Sequence, residues 1–341
     1  MPSFDNPAVP RGSLVLVTGT TGLIGSHVAD QFLQYGYKVR GTTRNAEKNA
    51  WISWLFDDKY GKGQFELVEV ADQSTPDAFD DVVRGAAIVV HCATELSLSP
   101  NPHEVVPKAI AMTLNALRAA AKEPSVKRFV LTSSSSSAII PKPDTPATIT
   151  VDTWNDEAIE AAYRPPPYEQ ERFYPVYAAS KALSEKEAWK FVREEKPGFV
   201  LNTVLPNINF GRSLDPINQG YQSTAAGVAN LYKGDSTLLG MFPAQYFVDV
   251  QDNALLHVAA GIHPGVTSER IFAFAESVNG DMVLDILRKT YPEKTFPENF
   301  QGGHDLTKVV PRERAEELLR DMGRDGWTSL EESVRRNTEG L

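Results

Sequence analysis

A short apolar run, Leu14-Val15-Leu16-Val17-Thr18, stops at Gly19, and glycines recur at Gly22 and Gly25 before an amphipathic stretch begins. Five residues are too few for a helix but fit a buried parallel strand, whose two covered faces leave no polar alternation. Gly19 permits a sharp exit, Gly22 lets backbone N–H groups approach a pyrophosphate, and Gly25 lets the following helix pack closely on the strand. The helix N-terminus then attracts phosphate through its unpaired amides and its dipole. The spacing differs from the commoner Gly-x-Gly-x-x-Gly, so context has to carry the reading. After the glycines, Val28, Phe32 and Leu33 share one helical face, Gly36 stands where a C-terminal cap belongs, and 37–44 reads as a second strand. This βαβ unit has the length that a dinucleotide requires.

The end of the second strand selects the dinucleotide. An NAD site usually places a carboxylate there for the ribose 2′-hydroxyl. This chain instead offers Arg44 and, one helical turn on, Lys48. A guanidinium facing a 2′-phosphate makes charge-assisted hydrogen bonds, so NADPH is expected over NADH.

Strand-like and helix-like segments continue to alternate, which predicts an α/β fold with a doubly wound parallel sheet of the Rossmann kind. Strands are expected at 65–70, 86–91, 128–132 and 199–205, with helices at about 104–122 and 176–195 and Pro206 ending the last strand. Asp72, at a strand's carboxyl end, is placed to accept from an adenine amino group. The proline-rich section 141–174 reads as an irregular surface excursion. Alternation loosens from Asn207, returns at 246–250 and gives way to a helical C-terminal part. The division that follows is a dinucleotide domain over 1–206, rejoined by 246–260, and a smaller, mostly helical substrate lobe over 207–341, chiefly 207–245 and 261–341.

With 341 residues and 42% hydrophobic content, the chain can bury a large core. A net charge of −10 with pI ≈ 5.2 argues against nucleic acid or an anionic membrane as partner. One cysteine, Cys92, fits a reducing compartment and reads as a small buried residue at a strand end. No apolar run is long enough to span a bilayer, and 1–5 lacks the layout of a signal peptide, so a cytoplasmic monomer or homodimer is expected. The histidines show no metal-ligand spacing, and no metal is expected.

The chemistry lies on the helix that holds Tyr177 and Lys181, the one Tyr-x-x-x-Lys among 11 tyrosines. A spacing of four puts both side chains on one face. The phenol needs a neighbouring cation to favour its ionised form near neutrality, which Lys181 is expected to supply. Just after the strand ending at Thr132 comes a run of five serines, Ser133 to Ser137, at the sheet edge where such folds bind ligands. Carbonyl reduction creates alkoxide character, calling for a proton donor and a second hydrogen-bond donor. Tyr177 is expected as the acid and Ser134 as the polarising hydroxyl, with Ser133 nearer the cofactor.

These residues resemble the extended short-chain dehydrogenase/reductases. The resemblance rests on 18–25, His91-Cys92-Ala93, Leu131-Thr132-Ser133-Ser134, 177–181 and 247–252, and spans nearly the whole chain. Within that group, 12–19, 126–134, 176–181, Ile140-Pro141-Lys142-Pro143 and Leu205-Pro206-Asn207 look like fungal NADPH-dependent carbonyl reductases of the aldehyde reductase II type; plant dihydroflavonol reductases are more distant. The resemblance implies a Ser134, Tyr177, Lys181 triad, with Tyr177 and Lys181 also touching the cofactor. It further implies phosphates on Gly19, Gly22, Leu23, Ile24 and Gly25, and Arg44 at the 2′-phosphate. Ala93 and Thr94 would line the nicotinamide side, with Pro206, Asn207 and Ile208 closing over the ring. Ser97, Tyr174, Phe210, Met241 and Gln245 are expected to line a pocket for a small carbonyl substrate, an aldehyde or ketone, keto esters included. Two rival functions are a nucleotide-sugar epimerase that retains NAD, against which Arg44 argues, and a non-catalytic NADP sensor, which would have no need of Tyr177 and Lys181.

Overall fold

The computed structural model describes residues 4–341. Strand β1 (Leu14–Thr18) leads through the glycine turn to helix α1 (Leu23–Gln34), then β2 (Lys38–Thr43), α2 (Trp51–Tyr60) and β3 (Phe65–Glu69). There follow β4 (Ala86–His91), α3 (Pro102–Lys122), β5 (Arg128–Thr132), β6 (Ala147–Ile149), α4 (Asp156–Ala162), α5 (Phe173–Glu195) and β7 (Val200–Pro206). Next come β8 (Ile208–Phe210), α6 (Ala225–Tyr232), α7 (Thr237–Gly240), β9 (Gln245–Asp249), α8 (Val250–Ile262) and β10 (Arg270–Ala273). The chain closes with β11 (Glu276–Val278), α9 (Gly280–Thr290), β12 (Thr307–Val309), α10 (Arg312–Asp321) and α11 (Leu330–Thr338).

Seven strands form one parallel sheet in the order β10-β7-β5-β4-β1-β2-β3. The chain winds outward from β1 to β3, then returns to β4 and winds the other way. This Rossmann-type α/β order opens a crevice at the carboxyl ends of β1 and β4, where the winding reverses. Val15, Leu16 and Val17 are almost wholly buried because helices cover both faces. Phe32, Ile52, Leu256 and Leu318 belong to the core on one face; Ala116, Ala120, Phe129 and Ala188 belong to that on the other. On this second face α3 packs against α5, and small residues such as Ala119 and Ala179 permit close approach. A separate core built on Phe210, Leu239, Phe247, Val283 and Leu287 lies in the lobe.

The lobe departs from the expected division in two places. β10 lies within 261–341 yet forms the seventh strand of the large sheet, paired to β7 through Ala273 and Pro206. Four residues give too short an apolar run to reveal it. Conversely, β9 pairs with β8 and β11 in a three-stranded sheet of the lobe, and only α8 rejoins the large sheet, packing on β5, β7 and β10. The section 141–174 is also less irregular than expected. It contains β6, which pairs in parallel with distant β12, and α4, capped by Asn155 accepting from Ala158 N at 3.0 Å. Among the described residues no helix is long and apolar enough to cross a membrane.

Candidate active site

Gly19 adopts φ +67°, a conformation that side chains with a Cβ rarely tolerate, and a Cβ there would lie 3.1 Å from the Ala93 Cα. At Gly25 a Cβ would fall 2.2 Å from the Gly19 carbonyl oxygen. The turn is therefore folded directly onto the first turn of α1. Gly22 caps that helix with no side-chain hydrogen bond and no acidic residue in the first turn, which leaves the Leu23 and Ile24 amides available to an anion. The strand behind the turn is fixed by Thr20 N donating to Thr42 O at 3.1 Å and Gly19 N to Thr42 Oγ1 at 3.3 Å.

Arg44 and Lys48 follow β2 on an exposed turn, and among the described residues neither side chain has an ionic or hydrogen-bonding partner. The turn itself is braced, with Asn45 Oδ1 accepting from Lys48 N at 2.8 Å and Glu69 accepting from Ala46 N at 3.0 Å. Asp72 is exposed after β3, and its carboxylate accepts from Ser74 N at 2.9 Å and Ser74 Oγ at 2.6 Å. These bonds hold its carboxyl below the ordinary range.

Where β4 ends, Ala93 N donates to Thr18 Oγ1 at 3.1 Å, while His91 Nδ1 contacts the same hydroxyl at 2.9 Å. Burial pushes the His91 imidazole down to about 3, and it is neutral at physiological pH. Burial likewise raises the Cys92 thiol to about 12, which makes it an inert residue.

α5 delivers Tyr177 and Lys181 to this same edge. The helix places the Tyr177 phenol beside the Ser134 hydroxyl, and Lys181 Nζ donates to Thr132 O at 3.2 Å. Ser134 is held by the turn it caps: its Oγ accepts from Ser136 N at 3.2 Å and from Ser136 Oγ at 2.9 Å. Burial is the largest influence on both ionisable groups. It raises the phenol above its ordinary value, against the lowering influence of the Ser134 hydroxyl, and lowers the Lys181 ammonium to about 8. The upward shift of the phenol is opposite in sign to the lowering expected from Lys181; desolvation of the anion is the largest influence, and what opposes it is the Ser134 hydroxyl. The Ser133 hydroxyl donates to Glu185 at 2.6 Å, and the residue borders the same cavity as Lys181. This small cavity is bounded by Ala93, Thr94, Thr132, Ser133, Lys181, Ser184 and Glu185 and by neighbouring residues of α3.

Pro206, Asn207 and Ile208 carry the chain from β7 to β8, with Asn207 N donating to Ala273 O at 3.2 Å. Tyr174 stacks on Tyr177, ring centroids 6.5 Å apart, and meets the edge of Phe242 at 6.3 Å. Phe242 lines a second small cavity with Ile208, Leu239 and Val283. The other expected pocket residues are dispersed. Phe210 is wholly buried, stacked on Phe247 as part of the lobe core, and reaches only the floor of that cavity. Gln245 is buried and donates to Pro243 O within its own turn, whereas Met241 and Ser97 are exposed.

Sequence reasoning missed Gln219. Its amide donates to Ser26 Oγ at 2.8 Å and lies within 3.4 Å of the Thr21 and Gly22 carbonyls, tying the loop after β8 over the glycine turn. Nothing in its neighbourhood has a period or a spacing to betray this. Glu185 did have a signal, since it lies one turn beyond Lys181 on the same helix.

The profile of the NAD dependent epimerase/dehydratase family matches residues 15–261. Aldehyde reductase 2 of Sporidiobolus salmonicolor is 45% identical over 339 residues, covering 98% of either chain. The ketoreductase adrE of Penicillium rubens is 40% identical over 341 residues, again covering 98% of each. Among solved structures, Gre2 of Candida albicans in complex with NADPH superposes with a TM-score of 0.79 at 24% identity, over 95% of this chain and 97% of that one, a likeness of fold. With its glycine turn at the reversal of a doubly wound sheet and a matching profile over most of its length, this chain belongs to the NAD dependent epimerase/dehydratase family, the extended short-chain dehydrogenase/reductases.

Proposed function

We propose that the chain reduces aldehydes and ketones, keto esters among them, to alcohols, with NADPH as reductant. One observation carries the reading: a protonated phenol, Tyr177, beside the Ser134 hydroxyl with Lys181 one turn away, at the sheet edge that also holds the glycine turn. The names of two relatives, an aldehyde reductase and a ketoreductase, support it.

When bound, NADPH supplies the hydride that goes to the carbonyl carbon. Gly19, Gly22, Leu23, Ile24 and Gly25 would hold its pyrophosphate, since Gly19 and Gly25 leave no room for a Cβ and the Leu23 and Ile24 amides are open. The unpaired cations Arg44 and Lys48 suit a 2′-phosphate, and Asp72 would meet the adenine. As charge develops on the carbonyl oxygen, the Tyr177 hydroxyl gives it the proton, and the Ser134 hydroxyl donates a second hydrogen bond. Lys181, within one helical turn, stabilises the phenolate left behind. Tyr174 and Phe242 present an apolar wall beside the phenol, suited to the organic part of the substrate.

NADPH oxidation, followed by absorbance over a panel of carbonyl compounds, tests the reading. Tyr177→Phe should lower kcat by about 100-fold or more with cofactor affinity preserved. Wild-type turnover in that variant would overturn the assignment of the acid. Copurified NAD together with no net NADPH consumption would point to epimerase chemistry instead.

A further inference from the structure

Glu185 is wholly buried one helical turn beyond Lys181, and its carboxylate is enclosed by donors. Oε2 accepts from Ser133 Oγ at 2.6 Å and Ser137 Oγ at 2.9 Å. Oε1 accepts from Thr203 Oγ1 at 2.9 Å, Arg270 Nε at 2.8 Å and Trp189 Nε1 at 3.3 Å. These donors come from the serine turn, β7, β10 and α5 itself. Arg270 is fixed in turn, stacked at 3.9 Å over the Trp154 ring and donating to Thr153 O at 2.8 Å. The same outer segment holds the serine turn from behind, through Asn155 Nδ2 donating to Ser136 O at 2.8 Å and Asn155 N to Ser137 O at 2.9 Å.

A buried ion pair is a costly way to join a helix to a sheet, because apolar residues of similar volume pack as well without the desolvation penalty. Its location gives it another use. Ser133 and Ser137 flank Ser134, so two bonds to one carboxylate fix both ends of the turn that aims the Ser134 hydroxyl at Tyr177. Glu185 and Lys181 also border one cavity. Resting on the reductase reading, we infer that Glu185 is a positioning residue for the reaction: it holds the serine turn at its working position and sets a fixed anion behind Lys181.

The titratable groups acting on Lys181 are Cys92 and His91 at the end of β4 and Glu185 on its own helix, with Arg270 of β10 behind Glu185. Replacing the carboxylate by an amide removes the anion and leaves Arg270 uncompensated, and both changes disfavour the ammonium. Glu185→Gln should therefore lower kcat about tenfold or more through the misplaced serine. It should also move the Lys181 titration down by roughly one pH unit, with KM for NADPH unchanged. NMR of carbon-labelled lysine reads that titration without turnover, the Lys181 resonance being assigned by its loss in Lys181→Met. Ser137→Ala removes the hydroxyl that meets Glu185, Ser133 Oγ and Ser134 O, and no charge; about a threefold fall in kcat with an unshifted lysine is expected. A folded Glu185→Gln protein with wild-type kcat and lysine titration overturns the inference. Should Glu185→Gln not fold, unchanged kcat in Ser137→Ala overturns it. A wild-type protein that reduces no carbonyl compound defeats the reductase reading alone, and the lysine titration still decides on Glu185.

Discussion

Among the described residues Arg44 has no partner, although the turn that carries it is tightly hydrogen-bonded. A fixed backbone under an unpaired guanidinium is a prepared anion site, and the charge-assisted bonds lost on truncation are worth about 1.5–3 kcal/mol. Arg44→Ala should accordingly weaken NADPH binding by roughly 10–100-fold and leave NADH binding unaltered. Fluorescence titration with both coenzymes measures this, and an unchanged preference would remove the 2′-phosphate from Arg44. Arg44 is visible in the sequence because it follows a strand whose length and glycine turn fix where the ribose must lie. Tyr177 and Lys181 are visible for a similar reason, since helical geometry makes a spacing of four a spatial neighbour. The upward shift of the phenol was not visible: it depends on how much protein surrounds the ring, which no spacing encodes. Phe242 and Gln219 lie on loops, whose course follows from contacts distant in sequence.

The glycine turn and α1 act as one unit, because the Gly19 carbonyl occupies the space beside Gly25. A methyl group 2.2 Å from a backbone oxygen can be accepted only if the turn moves off the helix. Gly25→Ala should then misdirect the first-turn amides, weakening NADPH binding by about tenfold or more and lowering Tm. Binding and melting as tight and as high as in the wild-type protein would show that the turn is not what orients those amides. Strands β1 to β5 and β7 are legible in the chain as apolar runs bounded by turns, and α3 and α5 by their lengths. β6, β8, β10, β11 and β12 have only three or four residues each, and what makes them strands is a partner remote in sequence, as with β6 and β12. β9 was legible as a strand but not in its sheet, since a buried run does not reveal which neighbour accepts its hydrogen bonds.

The lobe is joined to the large sheet through buried polar contacts as well as apolar packing, and these bring pH into the stability of the molecule. Asp249 caps α8, accepting from Gln251 N at 2.8 Å, and its other oxygen accepts from Ser333 Oγ of α11 at 2.8 Å. Asp252, on the first turn of α8, accepts from Thr328 N at 2.6 Å. Both carboxylates are wholly buried. Burial, and then repulsion from Asp252, raise the Asp249 carboxyl to about 6, whereas in the unfolded chain it titrates near 3.8. The protonated form is thus favoured by folding. Its stabilising contribution is complete below the unfolded value, declines as pH rises, and is lost once pH passes about 6. At pH 7 and above the native protein holds Asp249 as a buried anion. Asp249→Asn keeps an oxygen for the Gln251 amide and gives Ser333, whose hydroxyl can rotate, a donor in place of an acceptor, while the repulsion disappears. Tm should rise by about 3 °C or more at pH 8 and not at pH 4, where the native aspartate is already protonated. Scanning calorimetry at the two pH values reads the difference. An equal gain at both, or a loss at pH 8, would mean that Asp249 binds the lobe through its charge and not in spite of it.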